Sequence, residues 1–464
     1  MVFNSLEFLF FFIVVFVVYW TLTRKWQNYL LLIASYCFYG SWNWKFLFLI
    51  FISTVCDYKL SQLICCTKSR SGKRLYLWTS VFVNLSILGF FKYYNFFIQD
   101  ALAFFSCFGF DYNPLVLSII LPVGISFYTL QTMAYTIDVY REKIPPSKHF
   151  FDYALFVSFF PQLVSGPIER ASHLIPEIQR ERSFDYKQFQ EGVFLILIGL
   201  YKKLVVADQL AIYVNHAIIG QTNYKLLLCI YFFAFQIYCD FSGYTDIARG
   251  TAKLLGFEIR INFNRPYFSK SLAEFWRRWH ISLSTWFRDY VYIPMGGSRV
   301  SVRKYFAAIM AVFLLSGLWH GAKWTFVIWG CIHGFLFLCE RVVRKKVNLG
   351  KYVPFRYIVD ALRILIIFHL VCFAWIFFRA NSLHMAVEII KRLVDFQIKP
   401  FNDYLVLANC LAGLAGLLVY ECFEGFWNRQ LVTEWKRSII YFTIVVAILL
   451  FGNMNGGQFI YFQF

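Results

Sequence analysis

The stretch "SGLWHGAKWTF", Ser316–Phe326, sets a histidine inside one of the most apolar regions of the chain. Read as a helix, Ser316, His320 and Trp324 recur every four residues and share one face. Gly317 and Gly321 form a small-x-x-x-small spacing, which lets a second backbone approach and leaves room beside the imidazole. A neutral imidazole tolerates apolar surroundings and still accepts a proton near neutral pH. Those are the requirements of a general base acting on a hydroxyl, a role worth about 10²- to 10⁴-fold in rate. A packing histidine bonded to a carbonyl fits the same residues, so the pattern alone leaves both readings open.

A second constellation is "SLAEFWRRWHISLSTWFRDYVYIPMGGSR", Ser271–Arg299. In a continuous helix Glu274 and Arg278 are four apart and form an ion pair, while Trp276, His280 and Ser284 share a face. Tryptophans and basic groups around His280 suggest the interfacial rim of a cavity. A third is "FQIYCDFSGYTDIARG", where Asp240 and Asp246, with Gln236 and Ser242, interrupt an apolar span. An acidic residue at mid-bilayer costs about 2.5–3.5 kcal/mol on insertion scales. Pairing with basic residues to hold the fold is the expected reading of the two aspartates, ahead of direct catalysis.

Several arrangements are missing. The sequence has no HExxH for zinc hydrolysis and no GxSxG nucleophile elbow. His149 precedes Asp152 at the wrong spacing for an H-x-x-x-x-D acyltransferase motif. Six of the twelve cysteines (Cys37, Cys56, Cys229, Cys331, Cys372 and Cys410) lie within apolar runs, and the Cys65–Cys66 pair lacks the spaced partners of a zinc site, so neither a disulfide framework nor a bound metal is expected.

The elements that must position these groups are membrane helices. Of 464 residues, 59% are hydrophobic and 15% charged, against roughly 25% charged in a soluble domain. About eleven runs approach the roughly 20 apolar residues that cross a bilayer core, beginning with "FLFFFIVVFVVYW", Phe8–Trp20, read as an uncleaved spanning helix. The net charge of +19 gathers in short loops, as in cytoplasmic loops, and does not call for nucleic acid. Arg24 and Lys25 follow the first helix with no basic residue before it, which predicts an external N-terminus. A hairpin of Tyr29–Gly40 and Trp44–Leu63, then helices Leu75–Tyr93 and Leu115–Ile137, continue the alternation. In "FFPQLVSGPIERASHLIPEIQRERSFDY" the chain breaks at Pro161, Gly166, Pro167 and Pro176. That stretch and "RDYVYIPMGGSR" read as re-entrant or interfacial segments, which survive only under protein cover or along a wet cavity. The whole chain reads as one membrane domain: peripheral helices over 1–150, a catalytic core over 151–345, and C-terminal helices over 346–464.

The residues quoted, together with "LPVGISFYTLQTMAYTIDVYR", "SGLWHGAKWTFVIWGCIHG" and the closing "FIYFQF", resemble the membrane-bound O-acyltransferase superfamily, in particular its bacterial alginate and peptidoglycan O-acetyltransferase branch. The resemblance implies an all-α ring of about eleven transmembrane helices around a funnel in the cytoplasmic (inner) membrane. It implies that His320 is catalytic and His280 a second functional position. The donor would be an acyl thioester such as acetyl-CoA entering from the cytoplasm, with no permanently bound cofactor. An extracytoplasmic SGNH-type protein would carry the acyl group to a polysaccharide. Arg277, Arg278 and Lys323 are candidates for attracting the anionic donor. Trp276, Ser284, Trp319, Trp324, Asp240 and Asp246 are candidates for lining the tunnel. D-alanyl transfer, as in the similar teichoic-acid branch, is the alternative chemistry. A transporter or flippase is the rival class, but it predicts an inverted repeat, and neither "WRRWH" nor "LWHG" has a second copy.

Overall fold

The computed structural model describes residues 1–109, 117–164, 166–217, 223–346, 356–394, 404–427, 434–454, 456–457 and 459–463. Among them the chain is helical throughout, with no strand. Seven helical stretches are long and apolar enough to cross a membrane, and the shorter helices Leu6–Trp20 and Arg437–Phe451 are also apolar. The protein is therefore an all-α, multi-pass membrane protein. Two compact units are distinguished, residues 1–193 with 248–260, and residues 194–247 with 261–464.

In the first unit the expected hairpin forms as Arg24–Asn43 and Leu47–Cys66, joined by the tight turn Trp44–Phe46. The next helix runs further than its apolar pattern suggested, from Arg70 through a wider π-turn at Gly89–Tyr93 to Ser106. The predicted Leu115–Ile137 helix instead begins at Ile125; Leu115 itself lies outside the described residues. Pro122 and Gly124, the latter at φ +74, hold the preceding backbone out of a helix. A polar plug ties three helices together. Asp57 accepts hydrogen bonds from Ser80 (2.6 Å) and Asn84 (2.8 Å), and Asn84 Oδ1 accepts from Ser53 (2.9 Å) and Thr132 (3.0 Å).

The proline-rich segment follows the rule for irregular backbone in a membrane. Its helix stops at Ser158 and restarts for one turn at Phe160–Leu163. The Phe160 N–H donates to Ser35 Oγ (3.1 Å), while Gln131 (2.7 Å) and Gln162 (3.2 Å) donate to the Phe156 carbonyl. Pro176, expected to break a helix, sits inside Ala171–Gln179, which ends only at Arg180.

In the second unit the helices Val302–His320 and Trp324–Lys346 form the tightest pairing. A Cβ at Gly317 would strike the Phe326 carbonyl, and one at Gly330 would strike that of Phe313. The small residues that let these backbones touch are therefore Gly317 and Gly330, across the hairpin. Gly321 is packed against the Phe326 ring instead.

Candidate active site

His320 is the last residue of Val302–His320, and Gly321 leaves the helix in an extended conformation. Trp324 opens the next helix and is 53% exposed, so it does not stack with Ser316 and His320 as a continuous helix would require. The two glycines leave no open space beside the imidazole either, because Phe326 fills both positions. The imidazole is 2% exposed and walled by rings: Trp319 at 4.9 Å between centroids, Trp329 at 5.0 Å, Phe378 at 5.3 Å and Tyr461 at 5.6 Å.

The continuous helix expected through His280 is also interrupted. Leu272–Arg278 ends, Trp279 is extended, His280 takes φ +42, ψ +56, and a new helix runs Ile281–Phe287. Trp276, His280 and Ser284 thus do not share one helical face. The Glu274–Arg278 ion pair does form, at 2.6 Å. A non-glycine residue in the left-handed region is held there only when its surroundings over-determine it. Here Asn262 does so. Its carbonyl accepts from the Ile281 N–H (2.9 Å), and its Oδ1 accepts from the Ser282 N–H (3.2 Å) and hydroxyl (2.9 Å). The same Oδ1 lies 3.2 Å from His280 Nδ1. An amide oxygen only accepts, so the proton sits on Nδ1 and Nε2 is the basic nitrogen. Burial pushes His280 down to about 3, which keeps it neutral at physiological pH. Its ring lies 6.4 Å from that of His320 and 5.7 Å from that of Trp319.

Two cavities of opposite character approach this pair. One, of about 230 Å³, is largely apolar; Trp276, Ile309, Phe313 and Phe337 line it with Ser284, Arg288 and Ser316. The other, of about 140 Å³, is polar and includes Lys203, Asp208, Gln236, Asp240, Lys323 and Arg379. His320 lines neither. The first stops at Ser316, one helical turn before it, and the second at Phe378, whose ring touches it.

The remaining candidates divide accordingly. Asp240 and Asp246 are paired as expected, with Lys203 at 2.8 Å and Lys202 at 2.7 Å. Asp240 lies on the polar cavity; Asp246 does not. Arg277 is exposed on the short helix Leu272–Arg278, whereas Lys323 stands on the polar cavity with Arg379.

Two features escaped sequence reasoning. Lys203 bridges Asp240 and Asp208 (2.7 Å) and donates to the Gly457 carbonyl (3.0 Å), while the Ile460 N–H donates to Asp240 (2.6 Å). This clamp brings Tyr461 against His320. His333 is fully buried, with neither ring nitrogen meeting a hydrogen-bond partner, between Trp276 and Trp329, each at 4.9 Å. Its signal was available, since Trp329 and His333 are four apart on one helix that also touches His320.

Comparison with known proteins identifies the family. The model of the MBOAT, membrane-bound O-acyltransferase family matches residues 37–382. The "Probable alginate O-acetylase AlgI" of Pseudomonas aeruginosa is 40% identical over 94% of this chain and 84% of its own length. A "Peptidoglycan O-acetyltransferase" of Helicobacter pylori is 37% identical over 78% and 73%. A "Teichoic acid D-alanyltransferase" of Bacillus subtilis is 30% identical over 56% of this chain and 69% of its own. With the family model matching over most of its length and relatives of 37–40% identity covering most of both chains, the chain belongs to the membrane-bound O-acyltransferase family and is an O-acyltransferase.

Proposed function

We propose that the enzyme moves an acetyl group from a cytoplasmic thioester, such as acetyl-CoA, to an extracytoplasmic acceptor, for O-acetylation of an exported or cell-envelope polysaccharide of the alginate or peptidoglycan type. The observation that carries this reading is the position of His320 between an apolar cavity and a polar one. The acyl thioester occupies the apolar side. His320 takes the proton of the attacking hydroxyl, on the acceptor or on an SGNH-type partner. The oxygen adds to the thioester carbonyl, and the thiolate leaves. His280, neutral and fixed by Asn262, assists without competing for the proton. Because Phe378 and Ser316 separate the cavities from the imidazole, substrates must shift side chains to reach it.

Loop charge supports the direction of transfer. Arg299, Arg303 and Lys304 flank the start of Val302–His320, and Arg341, Arg344, Lys345 and Lys346 close the next helix. Lys323 alone stands at the turn between them. The basic ends belong in the cytoplasm, with the N-terminus outside and the chain in the inner membrane. Arg288, on the apolar cavity near those basic ends, joins Arg277 and Arg278 as a candidate for drawing in the donor's phosphates. D-alanyl transfer is the second reading, favoured by the Bacillus subtilis relative, which covers less of the chain than the O-acetylating ones. The test is release or transfer of labelled acetyl from acetyl-CoA by the purified protein in lipid. Turnover with D-alanyl carrier thioester and none with acetyl-CoA would transfer the assignment to that branch.

A further inference from the structure

The imidazole of His320 is nearly sealed, so any acyl group brought beside it has to fit among the rings that enclose it. Those rings are Trp319, Trp329, Phe378 and Tyr461. Phe326 already fills the space that a side pocket at Gly317 or Gly321 would need. Of the four rings, Phe378 is the one that also lines a cavity, the polar one. It is the last residue but one of Arg356–Arg379 and is buried. Besides His320 at 5.3 Å between centroids, it meets Phe326 at 4.9 Å, Trp375 at 5.1 Å and Trp329 at 5.3 Å, all buried themselves. Its side chain therefore holds a volume walled by aromatic rings directly beside the imidazole. Truncating such a ring leaves a hole that the surroundings close only in part, and aromatic walls favour an apolar occupant.

We infer that Phe378 is the specificity-determining residue for acyl length: its ring holds the space that the tail of a longer acyl group needs beside His320, and so limits the enzyme to a two-carbon group. This rests on the proposed delivery of an acyl thioester to His320 from the apolar cavity. That cavity ends at Ser316, so the thiol arm stays within it and the acyl group is the end that enters the cluster of rings. An acetyl group carries only a methyl beyond its carbonyl. Each further methylene has to displace part of a packed ring, which is the cost of overpacking a filled core.

The test uses the full chain in lipid nanodiscs and reads kcat/KM for consumption of acetyl-, propionyl- and butyryl-CoA. The wild type is expected to disfavour butyryl against acetyl by about 100-fold, since each methylene that does not fit changes discrimination roughly tenfold or more. Phe378→Ala is expected to narrow that ratio about tenfold or more. Phe378→Leu, which opens less space, is expected to gain on propionyl while butyryl stays disfavoured, and it decides the matter where the alanine variant melts too low. Equal use of acetyl- and butyryl-CoA by the wild type, or the wild-type ratio in both folded variants, overturns the inference while acetyl transfer stands. Faster loss of all three thioesters at an unchanged ratio overturns it in favour of a barrier to water alone. No turnover of any acyl-CoA by the wild type overturns the proposed function itself, and this inference with it.

Discussion

At the scale of single residues, the chemistry depends on how two buried histidines are held in place. His280 occupies a left-handed conformation whose maintenance falls to Asn262. Asn262→Ala removes the acceptor for three donors at once and is expected to cost about 1–3 kcal/mol, with a fall in turnover, read by thermal melting alongside acetyl release. The pH dependence has a definite sign. His280 is depressed to about 3 by burial, so the unfolded chain takes up a proton that the folded one refuses. Stability is therefore full above the unfolded value near about 6.5 and is lost as pH falls below it. His280→Gln is expected to flatten the melting temperature over that window. Pairing was legible in the sequence where spacing is local or charge demands it, as with Glu274–Arg278 and the expectation that Asp240 and Asp246 each meet a basic residue, though not which one. The break at Trp279–His280 was not, because neither glycine nor proline marks it and its cause, Asn262, lies 18 residues away.

At the scale of elements, the hairpin Val302–His320 and Trp324–Lys346 presents His320 at its turn, and its geometry depends on backbone contact at Gly317 and Gly330. Gly330→Val would press a branched side chain against the Phe313 carbonyl. An overpacked contact of this kind costs about 1–3 kcal/mol, and activity is expected to fall further than stability because His320 shifts with the turn. Periodicity ran a single helix through Ser316, His320 and Trp324 and put the close approach at Gly317 and Gly321, since a one-dimensional pattern shows neither where the chain turns nor which helix comes alongside. The Leu115–Ile137 prediction failed for a related reason: apolar residues continue through Pro122 and Gly124, and only the backbone shows that the helix does not.

At the scale of the molecule, a buried ionic clamp fastens the chain's final residues against the histidines. Lys203 holds Asp208, Asp240 and the Gly457 carbonyl together, and Asp240 in turn receives the Ile460 N–H. Lys203→Met leaves two buried carboxylates uncompensated and is expected to destabilise the protein by about 3–5 kcal/mol, with protease cleavage near the C-terminus appearing first. Composition made the membrane class plain, but Lys203 looked like one more basic residue in an apolar run. The central claim is that His320 is the base for acyl transfer. The most direct measurement compares labelled-acetyl turnover from acetyl-CoA by wild type and His320→Ala, both reconstituted in lipid and matched for melting temperature. A loss of about 10²-fold or more is expected; undiminished turnover in the variant would rule out His320 as the base.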